Sequence, residues 1–228
     1  PAGNLIGDGD HRIVGSAVDR AGNVTHITAD FIVDTIPPVI AVSGVADSRF
    51  YNSPRAISIS VVDAHPYAHT NRLNGVEVAD AVSASDEGEY FLSIRAVDAG
   101  GLTNSATYRF TLDLTPPTVV VAGISNGIST TSNVSICVSA TDSHPGATTV
   151  VLNGESAPAC FTVTNEGEHE VVITTTDLAS NLTAITLRFA IDRTPPAISF
   201  GHVPPLTNGD VVIPLAVTDN IDASNQIV

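Results

Sequence analysis

Asp34-Thr35-Ile36-Pro37-Pro38 returns as Asp113-Leu114-Thr115-Pro116-Pro117 and as Asp192-Arg193-Thr194-Pro195-Pro196. The step is 79 residues both times (117 − 38, and again 196 − 117). A fixed period of this size marks a tandem array of one structural unit, and it outranks any local pattern. Other residues keep the same step. Asp19, Asp98 and Asp177 do, as do Asp63 and Asp142, in Val62-Asp63-Ala64-His65-Pro66 and Thr141-Asp142-Ser143-His144-Pro145. So do the pairs Asn74-Gly75 and Asn153-Gly154. The repeat divides the 228 residues into the C-terminal half of a unit (1–36), two complete units (37–115 and 116–194) and the N-terminal part of a further one (195–228). The natural chain is expected to continue in both directions.

Inside a unit the hydrophobic period is two. Ile57, Ile59 and Val61 alternate with Ser58 and Ser60, and Tyr90, Leu92, Ile94 and Ala96 alternate with polar neighbours. Alternation of this kind makes half-buried strands, and Asn-Gly between two such runs makes a tight hairpin. Seven or so short strands per unit, with turn residues at regular intervals, predict an all-β antiparallel sandwich. The second unit repeats the pattern, with Ile136, Val138 and Ala140 standing for Ile57, Ile59 and Val61.

Composition excludes several functions. The net charge is −15, from 24 acidic and 9 basic residues, which argues against nucleic-acid binding because phosphate neutralisation needs clustered cations. No apolar run is long enough to cross a membrane as a helix. There is no Gly-x-Ser-x-Gly, no phosphate-cradling glycine loop and no His-Glu-x-x-His, and the carboxylates recur with the repeat as structural elements do. No enzymatic activity is expected.

The turn Val18-Asp19-Arg20-Ala21-Gly22-Asn23, the alternating strand after it and the Asp-x-Thr-Pro-Pro junction resemble the bacterial immunoglobulin-like (Big) repeats of large surface adhesins. The copies drift, with Asp98-Ala99-Gly100-Gly101 at the second turn and Ile36 in place of threonine at the first junction. The resemblance implies tandem immunoglobulin-like sandwiches in an extended array on the outside of a bacterial cell. In that topology the loops after the second and sixth strands meet the incoming linker. Asp34, Asp63 and Asp98 are then gathered at one junction, Asp113, Asp142 and Asp177 at the next, and Asp192 and Asp219 at a third. By the same resemblance these are candidate Ca²⁺ ligands that stiffen the junctions, Ca²⁺ being a hard cation served by oxygen donors. The competing reading is that each Asp caps its own turn through backbone N–H groups. His65 and His144 read as loop residues, and Pro-Pro as a stiff lead into the first strand.

Cys137 and Cys160 fall on outward positions of neighbouring strands, where they either form a cross-strand disulfide or remain two thiols. A disulfide fits an extracellular compartment. The expected role is a structural stalk or spacer, with neighbouring repeats as its partners. Two alternatives remain. One is a fibre subunit in which the half-units of successive chains complete each other. The other is a glycan- or protein-binding module presenting Tyr51 or Tyr67.

Overall fold

The computed structural model describes residues 7–65, 67–202, 205 and 208–221. Pro66 of the first His-Pro pair and the last seven residues of the expected 195–228 segment lie outside the described residues. The chain divides into two compact units, Pro1–Leu114 and Thr115–Val228. Every regular element among the described residues is a strand.

The first unit holds β1 (Gly9–Val18), β2 (Val24–Val33), β3 (Val39–Ser43), β4 (Arg49–Tyr51), β5 (Arg55–Val62), β6 (Tyr67–Leu73), β7 (Val76–Val78), β8 (Ala81–Ala84), β9 (Gly88–Asp98) and β10 (Thr103–Leu112). β3, β5 and β8 form a three-stranded sheet, and β4-β10-β9-β6-β7 a five-stranded one. Their apolar faces enclose one core, built from Ile57, Ile59, Val61, Leu92, Ile94, Phe110 and Leu112. This is an immunoglobulin-like β-sandwich, and its buried residues are those of the alternating pattern.

The second unit repeats it with β11 (Thr118–Ala122), β12 (Ile128–Thr130), β13 (Val134–Thr141), β14 (Pro145–Leu152), β15 (Glu155–Ala157), β16 (Cys160–Val163), β17 (Gly167–Asp177) and β18 (Leu182–Ile191). The sheets are β11-β13-β16 and β12-β18-β17-β14-β15, closed over Ile136, Val171, Ile173, Phe189 and Ile191. A short pair, β19 (Ala197–Phe200) with β20 (Leu215–Thr218), follows. Cys137 and Cys160 face each other across β13 and β16 as a disulfide, with Cα atoms 4.2 Å apart and both residues exposed.

Not every strand pair is antiparallel. β4 runs parallel to β10, and β12 parallel to β18. The first-strand region of each sandwich therefore serves both sheets, β3 in one and β4 in the other, with Gly44 in the crossover. Gly44 has φ +92° and Gly123, one period on, has φ +90°. A Cβ on either would collide with a carbonyl of the neighbouring strand, that of Ala56 in β5 or Ser135 in β13.

The hairpins form where Asn-Gly places them. Asn74 and Gly75 take φ 50° and 81°, and Asn153 and Gly154 take 50° and 87°, both in the left-handed region. Each Asn also accepts from a strand beside the turn, at 2.8 Å from Phe91 N and 2.8 Å from Glu170 N. The Pro-Pro segment is anchored by side chains from the last strand of its own sandwich. Asn104 Nδ2 donates to the Pro38 carbonyl at 2.8 Å, and Thr183 Oγ1 to that of Pro117 at 2.6 Å.

β1 and β2 pair over their whole length as a two-stranded sheet. They correspond, 79 residues back, to β9 and β10. Ile13 is 51% exposed, whereas its counterpart Leu92 is 0% exposed. Replacing Gly44 or Gly123 by alanine is expected to destabilise its own sandwich by about 2–4 kcal/mol, since left-handed strain and a backbone clash act together. Urea unfolding of the two variants, read against the unchanged protein, measures it.

Candidate metal centre

Three side chains of the first unit offer ligand atoms that all lie within 4.8 Å of one another: Asp34, Asp63 and His65. Asp34 follows β2, and Asp63 and His65 sit in the turn between β5 and β6. The turn is shaped by Asp63 itself, whose Oδ1 accepts from His65 N at 2.8 Å. Asp34 does the same locally, Oδ1 accepting from Ile36 N at 3.1 Å, while its Oδ2 is 2.8 Å from His65 Nδ1. The Asp34 and His65 side chains are 11% and 24% exposed, so the pair is largely withdrawn from water.

The same local geometry recurs at most of the aspartates the period singles out. Asp142 Oδ1 accepts from His144 N, Asp192 Oδ1 from Thr194 N, and Asp219 Oδ1 from Ile221 N. The Asp113 backbone N–H donates to the Tyr51 carbonyl at 3.0 Å, closing the β4–β10 end of its sheet. An acceptor two residues before an N–H is the Asx turn, so each of these short side chains holds its own loop.

Asp19, Asp98 and Asp177 form a second series, in the turn after β1, β9 and β17. Each accepts from the backbone N–H four residues on: Asn23, Leu102 and Asn181. In the first and third copies the same Asn also gives its side-chain amide to the other carboxylate oxygen, at 2.7 and 2.6 Å. The Asn23 amide is the leading reason that the Asp19 carboxyl sits below its ordinary pKa. At the middle copy the fourth residue is Leu102, which has no amide to give. Asp98 is 6% exposed, and its Oδ2 is buried with no hydrogen-bond partner. Its carboxyl adjoins Gly100 on the side where the Asp34 carbonyl also approaches.

The expected Ca²⁺ trio of Asp34, Asp63 and Asp98 is thus arranged in two parts. Asp34 and Asp63 meet at one point together with His65, and Asp98 stands outside that set. Oxygen donors of the kind Ca²⁺ takes are present in the two carboxylates. The imidazole is a nitrogen donor, and it already satisfies the outer oxygen of Asp34. A Ca²⁺ ion taken by Asp34 Oδ2 would meet the His65 ring already at that oxygen. The period carried a signal for His65, because His144 stands 79 residues on, but a lone loop histidine gave no reason to pair it with a linker aspartate.

Of the two tyrosines that a binding module would present, Tyr51 is partly buried and Tyr67 is exposed. Tyr51 packs on the core beside Phe110 with Arg55 over its ring at 4.4 Å, and its hydroxyl accepts from Ala46 N. Tyr67 donates its hydroxyl to the Val61 carbonyl at 2.8 Å.

No protein-family model matches the chain, and no curated protein matches it. Solved structures match it in part. The fibronectin(III)-like modules of Clostridium thermocellum CbhA are 15% identical, cover 67% of this chain and 94% of their own, and superpose with a TM-score of 0.40. Part of a 1.5-MDa bacterial ice-binding adhesin is 19% identical over 81% of this chain and 74% of its own, with a TM-score of 0.33. Protocadherin gamma B2 extracellular cadherin domains 3–6 are 12% identical over 87% and 60%, with a TM-score of 0.31. At these values the likeness assigns no activity and no partner.

Leu102→Asn is expected to stabilise the first sandwich by about 1 kcal/mol, by giving Asp98 Oδ2 the amide that Asp19 and Asp177 already have. Asn181→Leu, the reverse change, is expected to destabilise the second by a similar amount. Thermal melts of the two single variants check both signs.

Proposed function

We propose that the chain is a mechanical spacer of an extracellular protein, built to hold what flanks it at a distance. The observation that carries this reading is that one small sandwich is repeated at a fixed step, with a Pro-Pro strap before each complete copy tied by a side chain to that copy's own last strand. Such a strap adds stiffness without adding a surface for a ligand. The exposed Cys137–Cys160 disulfide suits an oxidising compartment.

Single-molecule pulling tests the spacer. Each complete unit is expected to unfold in one event and release about 25 nm of chain, at roughly 3.4 Å per residue. The second unit is expected to release roughly 8 nm less while its disulfide closes 23 residues, and to recover that length in reductant. Gradual extension without discrete events would sink the reading.

The calcium part of the proposal is separate. In it, Ca²⁺ draws Asp34 and Asp63 together and releases His65. Millimolar Ca²⁺ is then expected to raise the melting temperature relative to EGTA, Asp63→Asn to remove the rise, and His65→Ala to enlarge it by removing the competitor. A melt indifferent to Ca²⁺ leaves the aspartates as turn caps, and the spacer stands on the pulling result alone.

A further inference from the structure

One cross-strand position of the β9–β10 hairpin type occurs three times in this chain. In the β1–β2 hairpin it is Arg12 opposite Asp30, an ion pair of 2.6 Å. In the second sandwich it is Glu170 opposite Arg188, again at 2.6 Å. In the first sandwich it is Phe91 opposite Arg109. There the carboxylate is gone, and the Arg109 guanidinium lies over the Phe91 ring, 4.9 Å from its centre.

The sheet face that holds Arg109 carries two more arginines. Residues 91, 93 and 95 of β9 point outward in successive rows, about 7 Å apart along the strand. Arg109 stands beside Phe91 on β10, Arg72 beside Ser93 on β6, and Arg95 in the third row is flanked by Ser105 and Thr70. Each row therefore holds one guanidinium. All three arginines are exposed, and among the described residues none of their guanidinium groups is hydrogen-bonded to a carboxylate, although the Arg109 backbone N–H donates to Asp47 Oδ1 at 2.7 Å. The acidic groups beside these arginines are Glu89, opposite Thr111, Glu77, opposite Arg72, and Asp47, which accepts from Arg109 N. The second sandwich has Val151 and Thr174 where Arg72 and Arg95 stand, so the repeat does not require them. A chain with net charge −15 and no lysine has placed three of its nine arginines on one face of one unit.

Two shallow grooves run over this face, one lined by Phe50, Glu89, Phe91 and Arg109, the other by Thr70, Arg72, Ser93, Arg95, Ser105 and Thr107. We propose that the outward face of β10, β9 and β6 in the first sandwich binds an extended acidic polysaccharide, with Arg109, Arg95 and Arg72 receiving its carboxylates. A guanidinium offers a carboxylate two parallel N–H donors, and Arg188, which stands at the position of Arg109 in the second sandwich, has the Glu170 carboxylate as its partner. Ser93, Ser105, Thr107 and Thr70 supply hydroxyls for sugar hydroxyls, and the half-exposed Phe91 ring supplies an apolar surface for a sugar's C–H face. The flat face lacks the deep apolar anchor pocket of a protein interface.

The probe is polygalacturonate, set against neutral dextran, poly-glutamate and duplex DNA, with binding to the whole chain followed by calorimetry at low and high salt. Expected are binding to polygalacturonate that weakens with salt, none to dextran, and at least a tenfold loss in the Arg95→Gln/Arg109→Gln double variant. Phe91→Glu is expected to cause a comparable loss by giving Arg109 the carboxylate partner that Arg188 has in the second sandwich. These side chains are exposed, and melting curves confirm that each variant is folded. Polygalacturonate that does not bind, or binds the double variant equally well, overturns the proposal. So does equal or tighter binding of poly-glutamate, which makes the face a dock for an acidic protein, or of DNA.

Discussion

Each sandwich exists because two sheets can hide one apolar face apiece only against each other. Neither sheet is stable alone, since a three-stranded or five-stranded sheet of Val, Ile and Leu leaves half its side chains in water. The contact of Ile57 and Ile59 with Leu92 and Ile94 removes those side chains from solvent, and the second unit repeats it with Ile136, Val171 and Ile173. The β1–β2 hairpin supplies the comparison within one molecule. It has the strands, the register and the capped turn of β9–β10. Without a facing sheet among the described residues, its Ile13, Val14 and Ile27 remain in water.

The turns carry a second constraint. A loop that reverses in a few residues leaves backbone N–H groups without strand partners, and a short carboxylate is the nearest acceptor. Asp is therefore demanded at the same places in every copy, whether or not a cation is ever bound. This is why composition alone left the two readings of the aspartates open: a cap and a metal ligand require the same residue. Distances separate them in part, since every capping oxygen has an N–H within about 3 Å while Asp98 Oδ2 has none. The difference traces to a single residue, Leu102, in place of the asparagine at 23 and 181.

What was legible in the sequence is what the period repeats. The core strands, the Asn-Gly hairpins and the outward cysteines all follow from alternation and turn chemistry, which are local. The parallel pairing of β4 with β10 was not legible. β4 is three residues long, too short to show any period, and its partner lies about sixty residues on. Nor was the meeting of His65 with Asp34, which depends on how a linker and a loop pack. The arginine face was hidden for the opposite reason: it is where the repeat is broken, and reading by period averages such departures away.

The parallel pairing bears on how a unit yields when its ends are drawn apart. β4 lies near the start of the sandwich and β10 at its end, joined by Ser48 N to the Arg109 carbonyl and Asp113 N to the Tyr51 carbonyl. Because the two strands point the same way, tension on the two ends slides one along the other. Every bond between them is then strained at the same moment, in shear, instead of parting in sequence like a zip. A ladder of only three residue pairs thus resists far more than its length suggests, and β12 against β18 gives the second sandwich the same lock.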